Sequence, residues 1–505
     1  MKHLTRPPRN IAALSAGAIL CLSLAACGGG GGGSTGGTSG TGPTSTSYSL
    51  TVTGLASGQS ATLMDGTQPI PITANGPVDL QSVQPTDAVS IAQQPGSQTC
   101  ELVFGSTAST STTVAQLEST TGAEVDCSTY PAATPSLPQA GVQTGITTPD
   151  VIANPIVTPV FFSNDPTAAQ GQESTFLSAL VASKLWSTLA QYGVGKATVA
   201  APIVLSTAAG SSFLNSTAQS LLSANAAAWS GGALDTNRFF IFYLPNGTKL
   251  ADNPTANAYH SVADLGPSAT PISYAVVPLP SDYTQQQATE HELMEGSADV
   301  GAHGYSTVPD QWGAVYTTGM ELADLCQPQT AATVTAMQTT ESDLAGYVLQ
   351  PIWSNAAAAS FQNPCVPDAT ASDNAVFGAT PASPVTLSGY IGAVADTFAQ
   401  GAIINPGASV TIPMRLFATS PNVGMMQLSA SMIKGYSNAT SPDLSGWTFT
   451  FDHSSQGING DTVNLTVTAP ADAGTGVYFA VVTVKNSNGY TYEWPLSLAS
   501  STSFN

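Results

Sequence analysis

The spacing of the apolar residues changes twice along the chain, and this change most restricts how the chain can fold. Short alternating runs separated by Gly, Pro and Asn-Gly turns occupy residues 47–130, and similar runs return over 371–505. A period of two is typical of strands with one buried face. Residues 151–370 instead alternate apolar strands with helical spacing. We therefore predict a multidomain protein with an α/β central domain flanked by two all-β sandwich domains.

The central segment follows a Pro-, Thr- and Gln-rich linker at 131–150. Its predicted strands and first long helix lie at 155–162, 173–192 (the helix), 238–244 and 274–277. Thr284 and Gln287 have the spacing of a capping box, although Ser281 could also begin the next helix. That next helix would follow directly after a buried strand and would contain residues 288–299.

The first 27 residues have the pattern of a bacterial lipoprotein signal peptide. A basic start and an apolar stretch precede Leu-Ala-Ala-Cys at 24–27, which resembles a lipobox. We predict cleavage before Cys27 and lipidation of this cysteine; ordinary small-residue cleavage is the alternative. Residues 28–46 are almost entirely Gly, Ser and Thr, which is typical of a flexible tether. The protein is thus predicted in the cell envelope, on the outer membrane or cell surface if the cell has two membranes.

Charge excludes some partners. The chain has 10 Lys and Arg against 31 Asp and Glu, a formal net charge of −21. Such a field repels nucleic acid and anionic lipid headgroups, so membrane attachment is expected only through the N-terminal lipid. Hydrophobic residues make up 42% of the chain, which is too apolar for general disorder.

Four cysteines lie beyond the signal segment: Cys100, Cys127, Cys326 and Cys365. An even number in an exported chain indicates two disulfides. The pairs 100–127 and 326–365 are the simplest of the three connectivities, because each pair then lies within one predicted domain. Zinc binding by these cysteines is the weaker alternative, since no C-x-x-C spacing occurs.

Residues 288–299 concentrate the chemistry. Three of the ten glutamates and one of the five histidines lie within six residues of this stretch. On a helix His291 and Glu295 are i and i+4 and share a face, while Glu292 lies where H-E-x-x-H places a general base. A carboxylate replaces the second histidine, and carboxylates bind Zn²⁺. A solvated helix face is the alternative, but a chain with 8% charged residues has few glutamates to cluster by chance.

A second acidic motif follows at 321–326, Glu-Leu-Ala-Asp-Leu-Cys. Together the motifs resemble the exordium (phosphate-induced) proteins of plants and a set of exported bacterial proteins, which share H-E-x-x-E followed by E-x-x-D-x-C. The resemblance covers about residues 155–330, including 189–195 and 259–261. Many members follow the helix with Thr-Asp-Pro, which this chain lacks. The family has no settled activity, so membership does not by itself imply an enzyme.

The motif order also resembles that of the glutamate-type zincins. That resemblance implies a zincin-like central domain with these roles: metal ligands His291, Glu295 and Glu321; general base Glu292; and Asp324 as partner of the His291 ring, one residue short of the usual spacing. His260 is a spare ligand or an oxyanion-stabilising group. Zn²⁺ is the expected cofactor, and the three carboxylates leave Ca²⁺ or Mn²⁺ as alternatives. His303 and the tyrosines 305 and 316 are weaker candidates, for which structural roles are the better interpretation.

Two functions follow from these residues. The first is a metal-dependent peptidase that hydrolyses extracellular protein or peptide. The alternative is a non-catalytic surface protein that binds polysaccharide or a partner, with a structural metal. The flanking β regions do not decide between them: residues 47–130 resemble a spacer module of bacterial surface lipoproteins, and 371–505 resemble an immunoglobulin-like sandwich. No G-x-S-x-G occurs to indicate a serine hydrolase.

Overall fold

A computed structural model describes most of residues 46–504 of this protein. The residues left out of the description are 1–45, 96–97, 106, 143–145, 255, 266–270, 280–283, 308–311, 313–320, 327–343, 345, 348, 367–374, 392–393, 421–422, 437–442, 453–455, 487–488 and 505. The predicted signal peptide, Cys27 and the tether therefore lie outside the described residues, as does Tyr316.

The first described part of the chain is built from short strands. Its elements are β1 (Thr46–Thr53), β2 (Ala61–Asp65), β3 (Gln68–Ile72), β4 (Gly76–Val83), β5 (Ala88–Gln93), β6 (Thr99–Phe104), β7 (Thr107–Ser109), β8 (Ser111–Thr113), α1 (Val114–Glu118) and β9 (Glu124–Ser128). They form a five-stranded sheet, β4-β1-β9-β6-β7, and a four-stranded sheet, β3-β2-β5-β8. Leu50, Leu63 and Val125 lie in the apolar core that these strands share, as alternation predicts.

The middle of the chain mixes strands and helices. Its elements are β10 (Gly141–Val142), β11 (Ile156–Phe161), α2 (Thr167–Ala182), α3 (Lys184–Ser187), β12 (Thr198–Val199), β13 (Ile203–Val204), β14 (Ser212–Phe213), α4 (Asn215–Trp229), β15 (Arg238–Tyr243), β16 (Lys249–Leu250), β17 (Tyr259–Ala263), β18 (Ile272–Val277), α5 (Gln285–Ala298), β19 (Tyr305–Thr307), β20 (Ile352–Trp353), α6 (Asn355–Ala359) and β21 (Cys365–Val366). Short 3₁₀ turns lie at Thr188–Tyr192, Val300–Ala302 and Asp324–Cys326.

A six-stranded sheet positions the later site. Its order is β12-β11-β15-β18-β17, with β13 also paired to β11. β11, β15 and β18 are parallel and almost fully buried, which explains their continuous apolar sequences. β17 runs antiparallel to β18 at the edge. Side chains of α4 pack in the apolar cluster on one face, and those of α2 and α5 pack in the cluster on the other.

The last part of the chain returns to strands. They are β22 (Phe377–Pro381), β23 (Val385–Ile391), β24 (Val394–Ile403), β25 (Ser409–Ala418), β26 (Met426–Tyr436), β27 (Thr448–Phe451), β28 (Gln456–Gly457), β29 (Thr462–Thr468), β30 (Val477–Asn486), β31 (Thr491–Ala499) and β32 (Ser503–Phe504). They form a four-stranded sheet, β22-β25-β29-β27, and a seven-stranded sheet, β28-β26-β30-β31-β24-β23-β32. Their apolar side chains join the same cluster as α2 and α5, for example where Trp494 stacks edge-on against Trp312.

The predicted fold class, a zincin-like α/β central domain between all-β sandwich domains, is wrong. The described chain is mostly β, with 41% of residues in strands and 19% in helices, and it forms several sheets rather than a sizeable central α/β domain. Only α2, α4 and α5 exceed ten residues among its described helices. The spacing of apolar residues reports the local structure of one segment. Which distant short strands pair into a sheet depends on contacts between segments, and the spacing does not contain this information.

Two local predictions also need correction. The helix predicted over 173–192 ends at Ala182, because Ser183 adopts an extended backbone and its Oγ accepts a hydrogen bond from Trp186 N at 3.1 Å, beginning a new helix. His260, expected in a loop, lies in the edge strand β17. The two predicted disulfides are confirmed: Cys100 pairs with Cys127 and Cys326 with Cys365. None of the described helices combines the length and apolar character needed to cross a membrane.

Candidate metal centre

The helix α5 carries the first acidic motif into the interior. It begins at the N-cap Thr284, whose side chain accepts from Gln287 N at 3.1 Å, as the capping pattern predicts. The helix contacts β15, β17 and β18, and Glu290, Glu292 and Glu295 are all buried. Buried carboxylates need hydrogen bonds or counter-charges. The interpretation of this motif as a solvated helix face is therefore wrong.

His291 and Glu295 meet on one face of α5. His291 Nε2 lies 3.0 Å from Glu295 Oε2, as expected for residues i and i+4. The other ring nitrogen, Nδ1, lies 3.0 Å from Gln350 Oε1, and Gln350 Nε2 donates to the Ala323 carbonyl at 2.6 Å. Because Gln350 can only accept through Oε1, this network assigns the proton of a neutral ring to Nδ1. Nε2 carries a second proton toward Glu295 when no metal is bound, and it would lose this proton to bind a metal.

The second acidic motif is fastened to the helix by Glu295. Glu295 Oε1 accepts hydrogen bonds from the backbone N–H of Ala323 at 3.0 Å and of Asp324 at 2.9 Å. Asp324 Oδ1 thereby lies 3.6 Å from His291 Nε2. The disulfide from Cys326 to Cys365 ties down the end of the same turn. The two motifs, about thirty residues apart in sequence, therefore form one site.

His260 enters from the edge strand β17 and lies between two glutamates. Its Nδ1 lies 3.0 Å from Glu292 Oε2, and its Nε2 lies 3.3 Å from Glu321 Oε1. Gly296 makes room for this ring, because a Cβ at that position would lie 3.0 Å from two His260 ring atoms and 2.8 Å from the Phe239 ring. His260 is therefore a central member of the cluster.

The donor atoms fall into two overlapping sets. His260, Glu295 and Glu321 form one, and His291, Glu292 and Glu295 form the other; within each set one donor atom per residue lies within 4.8 Å of the others. Zn²⁺ bonds of about 2.0–2.2 Å would place neighbouring tetrahedral donors roughly 3.3–3.6 Å apart. Within the sets, His291 Nε2 lies 3.0 Å from Glu295 Oε2 and His260 Nε2 lies 3.3 Å from Glu321 Oε1, close to this range. Of the predicted ligands, Glu295 belongs to both sets, whereas His291 and Glu321 belong to different ones. Imidazole and carboxylate donors in this arrangement fit Zn²⁺, and also harder divalent ions.

Electrostatics favour a cation at this place. Burial alone would lower the pKa of His260 and of His291, but the neighbouring carboxylates raise both well above the usual value. Burial and the charge of Glu295 raise the pKa of Asp324 to about 7. Burial also opposes ionisation of Glu321, yet the His260 hydrogen bond lowers its pKa to about 2. In the absence of metal, protons on the rings supply the positive charge that the carboxylates require.

The weaker candidates lie elsewhere. His303 is exposed and pairs with Asp150 at 3.4 Å, and Tyr305 packs edge-on against Tyr192. Both observations agree with the structural roles preferred for them.

Sequence reasoning missed several members of the site. Gln350 orients His291 and, through its backbone N–H, binds Glu290 Oε2 at 3.2 Å. Glu290 is fully buried, its Oε1 has no hydrogen-bond partner among the described residues, and burial raises its pKa to about 8. Asp299 accepts from Gly304 N, and burial raises its pKa to about 6. No sequence pattern relates Gln350 to the helix α5. For Glu290, the only signal in the sequence was its position next to His291.

Comparison with known proteins adds little. No protein-family model and no curated protein matches the chain. Among solved structures it is similar to a family 123 glycoside hydrolase from Clostridium perfringens (11% identity, TM-score 0.17, covering 25% of this chain and 27% of that one). It is also similar to PapD-like domain 7 of human CEP192 (18% identity, TM-score 0.15, covering 20% of this chain and 78% of that one). The chain thus spans about a quarter of the hydrolase, and likenesses this weak bear on neither fold nor function.

Proposed function

We propose that this chain is a metal-dependent hydrolase that cleaves peptide bonds in extracellular protein or peptide. The observation that supports it is the convergence of two histidines and four acidic residues from α5, β17 and the turn at 321–326 on one partly accessible site. Perturbed, mutually interacting titratable groups beside a cavity are typical of catalytic sites.

The ligands that the motif order implies, His291, Glu295 and Glu321, would hold the metal, with His260 as a fourth donor. Glu295 belongs to both donor sets and would be the ligand that they share. The metal when bound supplies Lewis acidity, which polarises a carbonyl and acidifies water. Zn²⁺ suits the mixed nitrogen and oxygen donors, and the number of carboxylates makes Ca²⁺ or Mn²⁺ the alternatives. Asp324, 3.6 Å from His291 Nε2, would orient that ring.

Glu292 is the proposed general base. Its carboxylate is held by His260 Nδ1 at 3.0 Å and borders a cavity of about 190 Å³. Glu292 would accept a proton from the attacking water as the water oxygen bonds to the peptide carbonyl carbon. It would return this proton to the amine nitrogen as the C–N bond breaks, so protons balance over the reaction.

Measurements of metal content and of peptide hydrolysis distinguish the proposed metal ligands from the proposed general base. Elemental mass spectrometry of the purified protein should find about one zinc per chain, and His291→Ala or Glu321→Ala should lose it. Glu292→Gln should keep the metal while kcat for a peptide substrate falls about 10²–10⁴-fold. His303→Ala, which removes an exposed ring paired with Asp150, is the matched control and should change neither quantity. A wild type without metal after dialysis against zinc would refute the proposal.

The second candidate is a non-catalytic surface protein that binds polysaccharide. A shallow cavity of about 320 Å³ on the seven-stranded sheet favours it, because its lining includes the amide, hydroxyl and ammonium groups of Gln427, Ser429, Gln456, Thr483 and Lys485. Calcium rather than zinc at the cluster, with Glu292→Gln altering stability but no hydrolysis, would support this function.

The proposed place of action is the cell envelope, reached through a lipid on Cys27. Replacing Cys27 with serine should release the protein from membranes into the soluble fraction, because residue 27 then carries no acyl chain. Fractionation and immunoblotting of cells expressing either form would show this. Equal membrane retention of both forms would contradict the lipid attachment.

A further inference from the structure

The cavity beside the histidine and carboxylate cluster is lined by alanines and carboxamides. Ala256, Ala258 and Ala288 give it small apolar surfaces, and it opens onto His291 and Glu292. Its volume of about 190 Å³ leaves room for one side chain of a bound peptide.

Two carboxamides line this cavity and have no side-chain hydrogen bond to any described residue. Gln287 is 6% exposed, and among the described residues its side chain has no hydrogen-bond partner; only its backbone N–H is bonded, to Thr284. Asn257, half-buried on the opposite segment, likewise has no side-chain partner in the described part of the chain. Gln350, in contrast, uses both ends of its carboxamide, on His291 and on Ala323. Both carboxamides are therefore open to a ligand or to water from the cavity.

The charges near the cavity are already engaged. Glu292 is held by His260, and His291 by Glu295 and Gln350. No lysine, arginine or further carboxylate belongs to the described lining. An anionic group entering this space would therefore lose water without gaining a free counter-charge.

We propose that this cavity is a specificity subsite that takes an uncharged carboxamide side chain, that of glutamine or asparagine, adjacent to the bond to be cleaved. This inference rests on the proposed peptidase function. A carboxamide offers one acceptor oxygen and two N–H donors, which complement the amides of Gln287 and Asn257. The alanine walls accommodate its methylene groups. Gln287 and Asn257 are thus specificity residues rather than catalytic ones.

The test compares peptides that differ at one position. Capped peptides with Gln, Glu, Lys or Leu at a single site between alanines are incubated with the zinc-loaded protein, and cleavage is followed by mass spectrometry. The wild type should prefer Gln over Glu or Lys by about tenfold or more in kcat/KM, the effect of one or two hydrogen bonds. Gln287→Leu should lose this preference and favour the Leu peptide. Gln172→Leu, the same change on the exposed face of α2, should keep the wild-type preference.

A binding measurement separates the two proposals. Saturation-transfer NMR detects binding of the same peptides to the Glu292→Gln protein, which needs no turnover. Cleavage without a preference for Gln, unchanged by Gln287→Leu, would overturn the subsite and leave the peptidase standing. Selective binding of the Gln peptide, lost in Gln287→Leu, without any cleavage by the wild type would overturn the peptidase and support carboxamide recognition. Absence of both would overturn both.

Discussion

Glu295 shows at the scale of one residue how the site is assembled. One carboxylate oxygen accepts two backbone N–H groups of the turn at 321–326, and the other lies 3.0 Å from His291 Nε2. The same side chain is thus a structural link and a candidate ligand. This dual role explains why a glutamate can occupy the position that the H-E-x-x-H pattern gives to histidine, since an imidazole could not accept both N–H groups.

Removing the Glu295 carboxylate should therefore damage stability as well as metal binding. Glu295→Ala leaves two buried N–H donors unpaired and removes the nearer carboxylate from His291 Nε2, so we expect the free energy of unfolding to fall by about 2–5 kcal/mol. Urea denaturation of the metal-free protein measures this. Glu295→Gln retains an acceptor oxygen and should lose less. An unchanged unfolding free energy for Glu295→Ala would show that the link does not hold the turn.

A second residue-scale effect concerns Glu101 in β6. Burial, partly offset by a hydrogen bond from Tyr130 at 3.0 Å, raises its pKa from 4.5 to about 7. An acid with a raised folded-state pKa favours folding when protonated, so its contribution is greatest below about pH 4.5 and declines as the pH rises to about 7. Glu101→Gln should flatten this decline and raise the unfolding free energy at about pH 8 by about 1–3 kcal/mol. Urea titrations on both sides of this window test it, and an equal pH dependence in both proteins would contradict it.

At the scale of elements, the site depends on the close approach of α5 to β17. Gly296 lies where the helix passes the His260 ring, and the space there is too small for a methyl group. Helical propensity disfavours glycine inside a helix, by about 1 kcal/mol relative to alanine. Its presence in α5 is therefore explained by packing against the strand rather than by local structure.

Alanine at position 296 should separate these two effects. Gly296→Ala gains helix propensity but must displace the His260 or Phe239 ring, so we expect a net loss of about 1–3 kcal/mol in unfolding free energy and weaker metal binding. Calorimetric titration with zinc and urea denaturation measure the two. Gly171→Ala in α2, where nothing lies within 4 Å of the added methyl, is the control and should gain stability. Equal gains for both variants would contradict the packing argument.

At the scale of the whole molecule, Asn459 connects sequence segments more than three hundred residues apart. Its Oδ1 accepts from Ala132 N and Ala418 N, each at 2.9 Å, and its Nδ2 donates to Ser128 Oγ at 2.7 Å and to the Thr129 carbonyl at 3.0 Å. The side chain is 1% exposed, so all four bonds lie away from water. The strands that end at Ser128 and Ala418 are thereby linked.

Loss of this connection should affect the cooperativity of unfolding. Asn459→Ala leaves buried backbone groups unpaired, and we expect a loss of about 2–4 kcal/mol with a broader or split thermal transition. Differential scanning calorimetry would show it. Asn225→Ala, which removes one local bond within α4, should cost less than about 1 kcal/mol. One sharp transition at the wild-type temperature for Asn459→Ala would contradict this role.

Part of the site was predictable because some of its contacts join residues that are close in sequence. The i, i+4 spacing of His291 and Glu295 and the N-cap at Thr284 follow from helix geometry alone. The pairing of Cys326 with Cys365 was predicted because both cysteines lie in one predicted domain, and the second motif was found through its resemblance to known motifs. These relations span a few residues or one short loop, so composition and spacing contain them.

The sequence by itself thus determined the helix α5, the identities of the acidic and imidazole groups, and both disulfides. Only the tertiary structure decided that His260 lies between Glu292 and Glu321, that Gln350 orients His291, and that the chain is mostly β. The reason is physical: periodicity reports which face of a segment avoids water, whereas strand partners and side chains that meet across elements are selected by packing of the whole chain.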